Sequence, residues 1–115
     1  MELTKDKEMN YYEHTFIAKQ DLKENQSKQL LEKYTDIIKN NSGKVLKTEE
    51  WGLRIFSHNI KNNKKGFYFH IKLEGVGKTI EELEKLENID QMLIRFLTVR
   101  VKKHDLDTNY FLKKD

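Results

Sequence analysis

The sequence has no cysteine and no long apolar run among its 115 residues. Without cysteine the chain can form neither a disulfide bond nor a thiolate metal site, and it offers no thiol nucleophile. No apolar run approaches the roughly 20 residues of a membrane-spanning helix, and residues 1–10 lack the apolar core of a signal peptide. We therefore expect a cytoplasmic protein.

Motifs typical of catalysis or of cofactor binding are also lacking. The segment "EGVGKT" does not have the glycine spacing of a phosphate-binding loop. No pair of histidines has a spacing that would place two imidazoles on one face as metal ligands; the four are His14, His58, His70 and His104. His14 is instead expected to be a satisfied core residue. We predict no enzyme activity, no cofactor and no metal site.

Apolar residues make up 37% of the chain and fall into periodic segments. A chain of this length forms about one domain, and such periodicity is typical of a globular protein. The pattern predicts strand, helix, strand, strand, helix and strand, over residues 11–18, 22–41, 44–57, 67–74, 77–89 and 91–101. Gly43 is predicted at the C-cap of the first helix, and Thr79 with Glu82 as a capping box of the second. The segment "HNIKNNKKG" is predicted as a hairpin tip closed by its glycine.

This order is typical of an α+β, ferredoxin-like split βαβ fold (βαββαβ), a four-stranded antiparallel sheet with two helices on one face. We expect the first and last strands at the centre, because the last strand has few polar residues, and the second and third strands at the edges. The other sheet face would have no helix. We predict a flexible N-terminal extension over residues 1–9, the domain over 10–103 and a polar C-terminal tail over 104–115.

Charge is distributed unevenly, although the net charge is only +3. Residues 44–73 carry seven Lys and Arg against two Glu, residues 91–104 carry four against no acidic residue, and residues 74–90 carry two against six. The acidic second helix is interpreted as a solvated face. Basic residues of the hairpin and last strand would attract phosphate groups. Lysines on an edge strand also prevent edge-to-edge aggregation, and charge alone does not decide between the two interpretations.

Three segments resemble the bacterial small-subunit ribosomal proteins of the S-six family. They are "YYEHTFI", "KVLKTEEWGLRIFSHNIKNNKKGFYFHIKLEG" and "NIDQMLIRFLTVRVKK". The resemblance spans residues 10–103. Family members usually begin just before "YE", so residues 1–8 are an addition. Many members also carry a proline where His58 or Asn59 stands, whereas this chain has no proline.

The resemblance implies a fold without catalytic activity that binds the central domain of small-subunit ribosomal RNA. It also implies a small basic partner ribosomal protein of the S-eighteen type. Phosphate contacts from the hairpin and the last strand are compatible with that role. The residues predicted to bind RNA are Arg54, Lys64, Lys65, Arg95, Arg100, Lys102 and Lys103.

Four further residues are predicted to bind the partner protein. Trp51 would either pack on an edge strand or anchor the partner. Gly52 would mark a bulge or a close backbone approach, such as a segment added by the partner. Tyr68 and His70 would lie on the face without helices, where aromatic rings either stack on RNA bases or are covered by a partner.

Two other functions are compatible with the fold. One is a non-ribosomal module that homodimerises through its sheet and binds a small ligand. The other is an acyl-phosphate hydrolase, since small phosphatases of this fold use an Arg-bearing loop after the first strand. Here that turn reads "AKQDLKE" and contains neither Arg nor Gly, so the anion-binding loop is missing.

Overall fold

The computed structural model of the protein describes residues 9–104. The elements are β1 (Asn10–Lys19), α1 (Glu24–Asn40), β2 (Lys44–Ile60), β3 (Asn63–Gly75), α2 (Gly77–Asn88) and β4 (Leu93–Val101). This order confirms the predicted βαββαβ, α+β fold. The predicted N-terminal extension and C-terminal tail lie outside the described residues, apart from Met9 and His104, and their character stays a prediction.

The four strands form one antiparallel sheet in the order β2-β3-β1-β4. The prediction of a central β1 and an edge β2 is confirmed, but the predicted positions of β3 and β4 are wrong. β3 lies between β2 and β1, and β4 forms the other edge. The apolar content of β4 led to the wrong prediction because two of its apolar residues are not buried inside a central strand. Leu97 and Val99 are 62% and 47% exposed on the sheet face that α1 and α2 do not cover.

The core lies between the two helices and the sheet face that they cover. Phe16 of β1 lies opposite Phe69 of β3, and their rings stack with centroids 4.9 Å apart. Tyr34 of α1 packs on Phe16 at 5.3 Å, and all three side chains are buried. The alternation predicted for the two central strands is therefore confirmed, because Phe16 and Phe69 belong to their apolar rows.

The ends of both helices differ from the predicted caps. The C-cap of α1 is Asn41, Ser42 takes the left-handed conformation (φ 68°), and the Gly43 amide donates to the Ile38 carbonyl at 2.9 Å, as in a Schellman motif. Gly43 is thus beyond the predicted C-cap position. It is needed because a Cβ there would lie 2.6 Å from Ile38 Cγ2.

Thr79 is the third residue of α2, and Val76 is the N-cap. The predicted capping box of Thr79 with Glu82 is therefore wrong. Thr79 Oγ1 accepts a hydrogen bond from the Val76 amide at 3.1 Å and donates one to the Asn41 carbonyl at 2.6 Å. The hydroxyl fixes the start of α2 and ties it to the end of α1.

The β2–β3 hairpin is tighter and longer than predicted. Its turn consists of Lys61 and Asn62, both with positive φ (49° and 65°) as in a type I′ turn. The side chain of Asn63 donates to the carbonyls of Ile60 and Lys61 at 3.2 and 2.9 Å. The prediction that Gly66 closes the tip is wrong. Gly66 lies buried within β3, opposite Lys19. The hairpin beyond Gly66 therefore projects past the end of β1 as a two-stranded arm.

Candidate functional site

The helix-free face of the sheet, which we call the open face, carries a row of stacked rings beside a bulge in β2. The strand register skips Trp51 between Glu50 and Gly52, and Gly52 has φ +86°. The bulge predicted at Gly52 is thus confirmed. A side chain at that φ would be strained, which explains the glycine.

Trp51 lies over the neighbouring strand. Its ring stacks on His70 with centroids 4.9 Å apart and planes 14° apart, and it lies 6.3 Å from the Tyr68 ring. Its Nε1 donates to Glu49 Oε1 at 2.7 Å. The structure thus brings together all four residues predicted to bind a partner, on the open face as expected for Tyr68 and His70.

A buried layer of charged side chains lies below Trp51, although neither α1 nor α2 covers this face. His70, Lys72 and Glu49 are 3%, 2% and 6% exposed. Thr15 Oγ1 lies 2.8 Å from His70 Nδ1, and Glu13 Oε1 lies 3.4 Å from His70 Nε2. Lys72 Nζ lies 4.0 Å from Glu49 Oε2. The strand order explains the layer, because β3 is flanked by Glu13 and Thr15 on β1 and by Glu49 on β2.

Burial lowers the pKa of His70, and the carboxylates of Glu13 and Glu49 partly oppose that shift. The imidazole is therefore neutral at neutral pH. Sequence reasoning missed this layer because it placed β3 at an edge. A usable signal existed in the polar row of β3, since His70 and Lys72 are spaced to face acidic residues of both neighbouring strands.

An apolar rim completes the open face on the β4 side. Leu97 and Val99 project from β4, and together with Trp51 and His70 they line a shallow depression of about 370 Å³. An exposed apolar patch next to an aromatic row is typical of a protein interaction site. The exposed residues of β4 were missed because that strand was predicted to be buried.

The predicted RNA-binding residues do not form one cluster. Lys64 and Lys65 lie on the hairpin arm, and Arg54 lies on β2 opposite Gly66. Arg95 lies near the start of β4, at the same end of the sheet. Arg100 lies near the other end of β4, about 17 Å further along the strand, and Lys102 and Lys103 follow the end of that strand. Arg100 donates to Asn10 Oδ1 at 2.7 Å.

His14 is a buried core residue, as predicted. Its Nδ1 lies 2.6 Å from Thr98 Oγ1, and its Nε2 lies 2.5 Å from Glu87 Oε2 at the end of α2. Burial raises the pKa of Glu87, and the hydrogen bond with His14 opposes that shift. These bonds join β1, β4 and α2, which is a structural role.

Among residues 9–104, no group of three or more histidine, aspartate or glutamate side chains is placed to hold a metal ion. No helix within the same range is long and apolar enough to cross a membrane.

A family model described as Ribosomal protein S6 matches residues 11–100. The chain belongs to this family. The resemblance drawn from the sequence is therefore confirmed over most of the domain.

Relatives in the S6 family cover most of the chain. The small ribosomal subunit protein bS6 of Pelagibacter ubique is 53% identical over 107 residues, which are 93% of this chain and 88% of the relative. The bS6 protein of Rickettsia felis is 37% identical over 105 residues, covering 91% and 87%. The crystal structure of 30S ribosomal protein S6 from Thermotoga maritima has a TM-score of 0.78 and 30% identity, covering 82% of this chain and 89% of that one. The chain is thus a protein of the small ribosomal subunit with the S6 fold.

Proposed function

We propose that this S6-family protein binds the central domain of small-subunit ribosomal RNA together with a small basic partner protein of the S-eighteen type. It acts as a non-catalytic constituent of the ribosome in the cytoplasm, without a cofactor. The observation that carries this proposal is the aromatic and apolar sheet face, which α1 and α2 leave uncovered, lying between two groups of exposed cations.

The open face supports the proposed binding of the partner protein. Trp51 is fixed by its stacking on His70 and by the hydrogen bond to Glu49, so it loses little conformational freedom when a partner covers it. Rigid aromatic anchors beside an apolar patch are typical of interface hot spots. Glu13, which lines the same depression, favours a basic partner.

The exposed cations support the proposed binding of RNA. Lys64, Arg95 and Lys102 are exposed, at the arm and at the two ends of β4. Cations spread around a rigid domain suit recognition of a folded RNA junction by its shape and phosphates. Because the net charge is only +3, we expect weak binding by this protein alone and tighter binding with a basic partner.

The test is a salt titration of binding to a central-domain ribosomal RNA fragment, with and without the partner protein. A double variant, Lys64→Ala with Lys65→Ala, is compared with the wild type. The proposal expects binding chiefly with the partner, affinity that falls as salt rises, and a shallower salt slope for the variant. Failure of both combinations to bind the RNA would refute the proposed function.

A further inference from the structure

A second concave surface lies at the end of the sheet where the hairpin turn comes close to β1 and β4. We call it the turn cleft. Its volume is about 610 Å³, within the range of about 300–1,000 Å³ typical of ligand sites. Its polar lining includes Lys19 at the end of β1 and Gln20 after it, Lys61 and Asn63 at the hairpin turn, and Gln91 before β4.

The three segments that line the turn cleft are fixed by hydrogen bonds. The Lys19 amide donates to the Met92 carbonyl at 3.0 Å, which holds the end of β1 against the loop before β4. Asp90 Oδ1 accepts from the Met92 amide at 2.9 Å, and Tyr34 also donates to Asp90. The Asn63 side chain holds the hairpin turn. The backbone around the cleft is thus preorganised and does not have to be ordered by the ligand.

The cations of the turn cleft and of the cleft beside it have no carboxylate partner among residues 9–104. The ion pairs in that range use histidines or other lysines, and none of them includes Lys19, Lys61 or Arg95. Arg95 lines an adjoining cleft that shares Lys61, Leu93 and Ile94 with the first. A carboxylate, that of Asp21, also lines the turn cleft. In the adjoining cleft, Glu87 and Asp90 are bonded to His14 and Tyr34.

We propose that the turn cleft binds an RNA nucleotide, with Lys19, Lys61 and Arg95 around its phosphate and Gln20 and Gln91 at its uncharged groups. This site rests on the proposed RNA-binding function and adds Lys19, Gln20 and Gln91, which the sequence did not indicate, to Arg95 and the hairpin's Lys61. Lysine and arginine supply charged donors to phosphate oxygens. Amide side chains both donate and accept, which suits a ribose 2′-hydroxyl or a base edge.

The test uses the full-length chain, the partner protein and the central-domain RNA fragment in a salt titration. Lys19→Ala and Lys61→Ala should each weaken binding several-fold and reduce the salt slope by about one unit. Gln91→Ala should weaken binding without changing the slope, because an amide releases no counterion. Lys39→Ala removes the same charge from the last turn of α1, at the other end of the domain, and should leave both quantities as in the wild type.

The outcomes separate this site from the function on which it rests. If the wild type binds and the Lys19 and Lys61 variants match Lys39→Ala, the turn cleft is refuted and RNA binding stands. If a lysine variant loses affinity but keeps the wild-type salt slope, the phosphate contact is refuted. If the wild type does not bind, the proposed function fails, and the cleft assignment fails with it.

Discussion

His70 combines burial, an aromatic neighbour and two carboxylates at one ring. Its Nδ1 bonds Thr15, Trp51 covers its face, and Glu13 and Glu49 lie beside it. Burial lowers its pKa in the folded state, so the unfolded chain binds more protons on acidification. Below the ordinary histidine pKa of about 6.5, protonation therefore favours unfolding. Above that pH the ring is neutral in both states, and its protonation does not change the free energy of unfolding.

We predict that the free energy of unfolding falls from pH 7 to pH 5 and that His70→Gln removes part of this fall. The contribution is limited to about 1.4 kcal/mol per pH unit, the value for one whole proton. Urea unfolding at pH 7, 6 and 5 measures it. His58→Gln, which removes an exposed imidazole from β2, is the control and should keep the wild-type slope. A His70→Gln slope parallel to that of the wild type would contradict the prediction.

Glycine fixes the approach of β3 to β1 where the hairpin arm begins. A Cβ at Gly66 would lie 2.6 Å from Ile17 Cγ2 and 2.9 Å from the Ala18 carbonyl oxygen. The second contact is with backbone, so the strands themselves would have to move apart. The pairing of Gly66 with Lys19 also positions the turn cleft.

Gly66→Ala is expected to destabilise the fold by about 1–3 kcal/mol, the usual cost of overpacking. Gly77→Ala is the matched control, because a Cβ there meets no atom within 4 Å. In the first turn of α2 this change should be neutral or stabilise by up to about 1 kcal/mol through the unfolded state. Urea unfolding of both variants gives the comparison, and equal free energies for the two would show that the close approach does not matter.

At the level of elements, periodicity predicted the type and order of all six, but not the arrangement of the strands. A nearly continuous apolar run suits both a central strand and an edge strand that presents apolar residues to a partner. For β4 the second case holds, since Leu97 is exposed. The hairpin turn was missed because Lys61 and Asn62 take positive φ without a glycine, and Gly66 drew the prediction to the wrong place.

For the molecule as a whole, the predicted partner residues came together because Trp51, Tyr68 and His70 share one face. The predicted cations did not, because Arg95 and Arg100 lie far apart on β4. Lys19 was missed as a companion of Arg95, because only the basic residues of the hairpin and the last strand were considered; the antiparallel pairing of β1 with β4 places the end of β1 next to the start of β4. Contacts between distant segments depend on the strand order and register, and the predicted order was wrong for β3 and β4.

The exposed rim of β4 gives the proposed partner site its clearest test. Replacing Leu97 and Val99 together by Thr puts a β-branched residue, which suits a strand, at both positions and removes apolar area from the rim. We expect the affinity for the partner protein, measured by calorimetry, to fall at least about tenfold. The free energy of unfolding should change by less than about 0.5 kcal/mol, because both side chains are largely exposed.

Ile55→Thr is the control, because Ile55 is 80% exposed on the hairpin arm and not on the rim. Unchanged affinity in the rim variant would place the partner elsewhere, and an equal loss in Ile55→Thr would show that exposed apolar area matters without regard to position. Sedimentation of the wild type alone separates one further case. If the wild type dimerises and the rim variant is monomeric, the open face pairs with a second copy, as in the homodimeric module. A self-complementary apolar face can be buried against a second copy of the chain as well as against another protein.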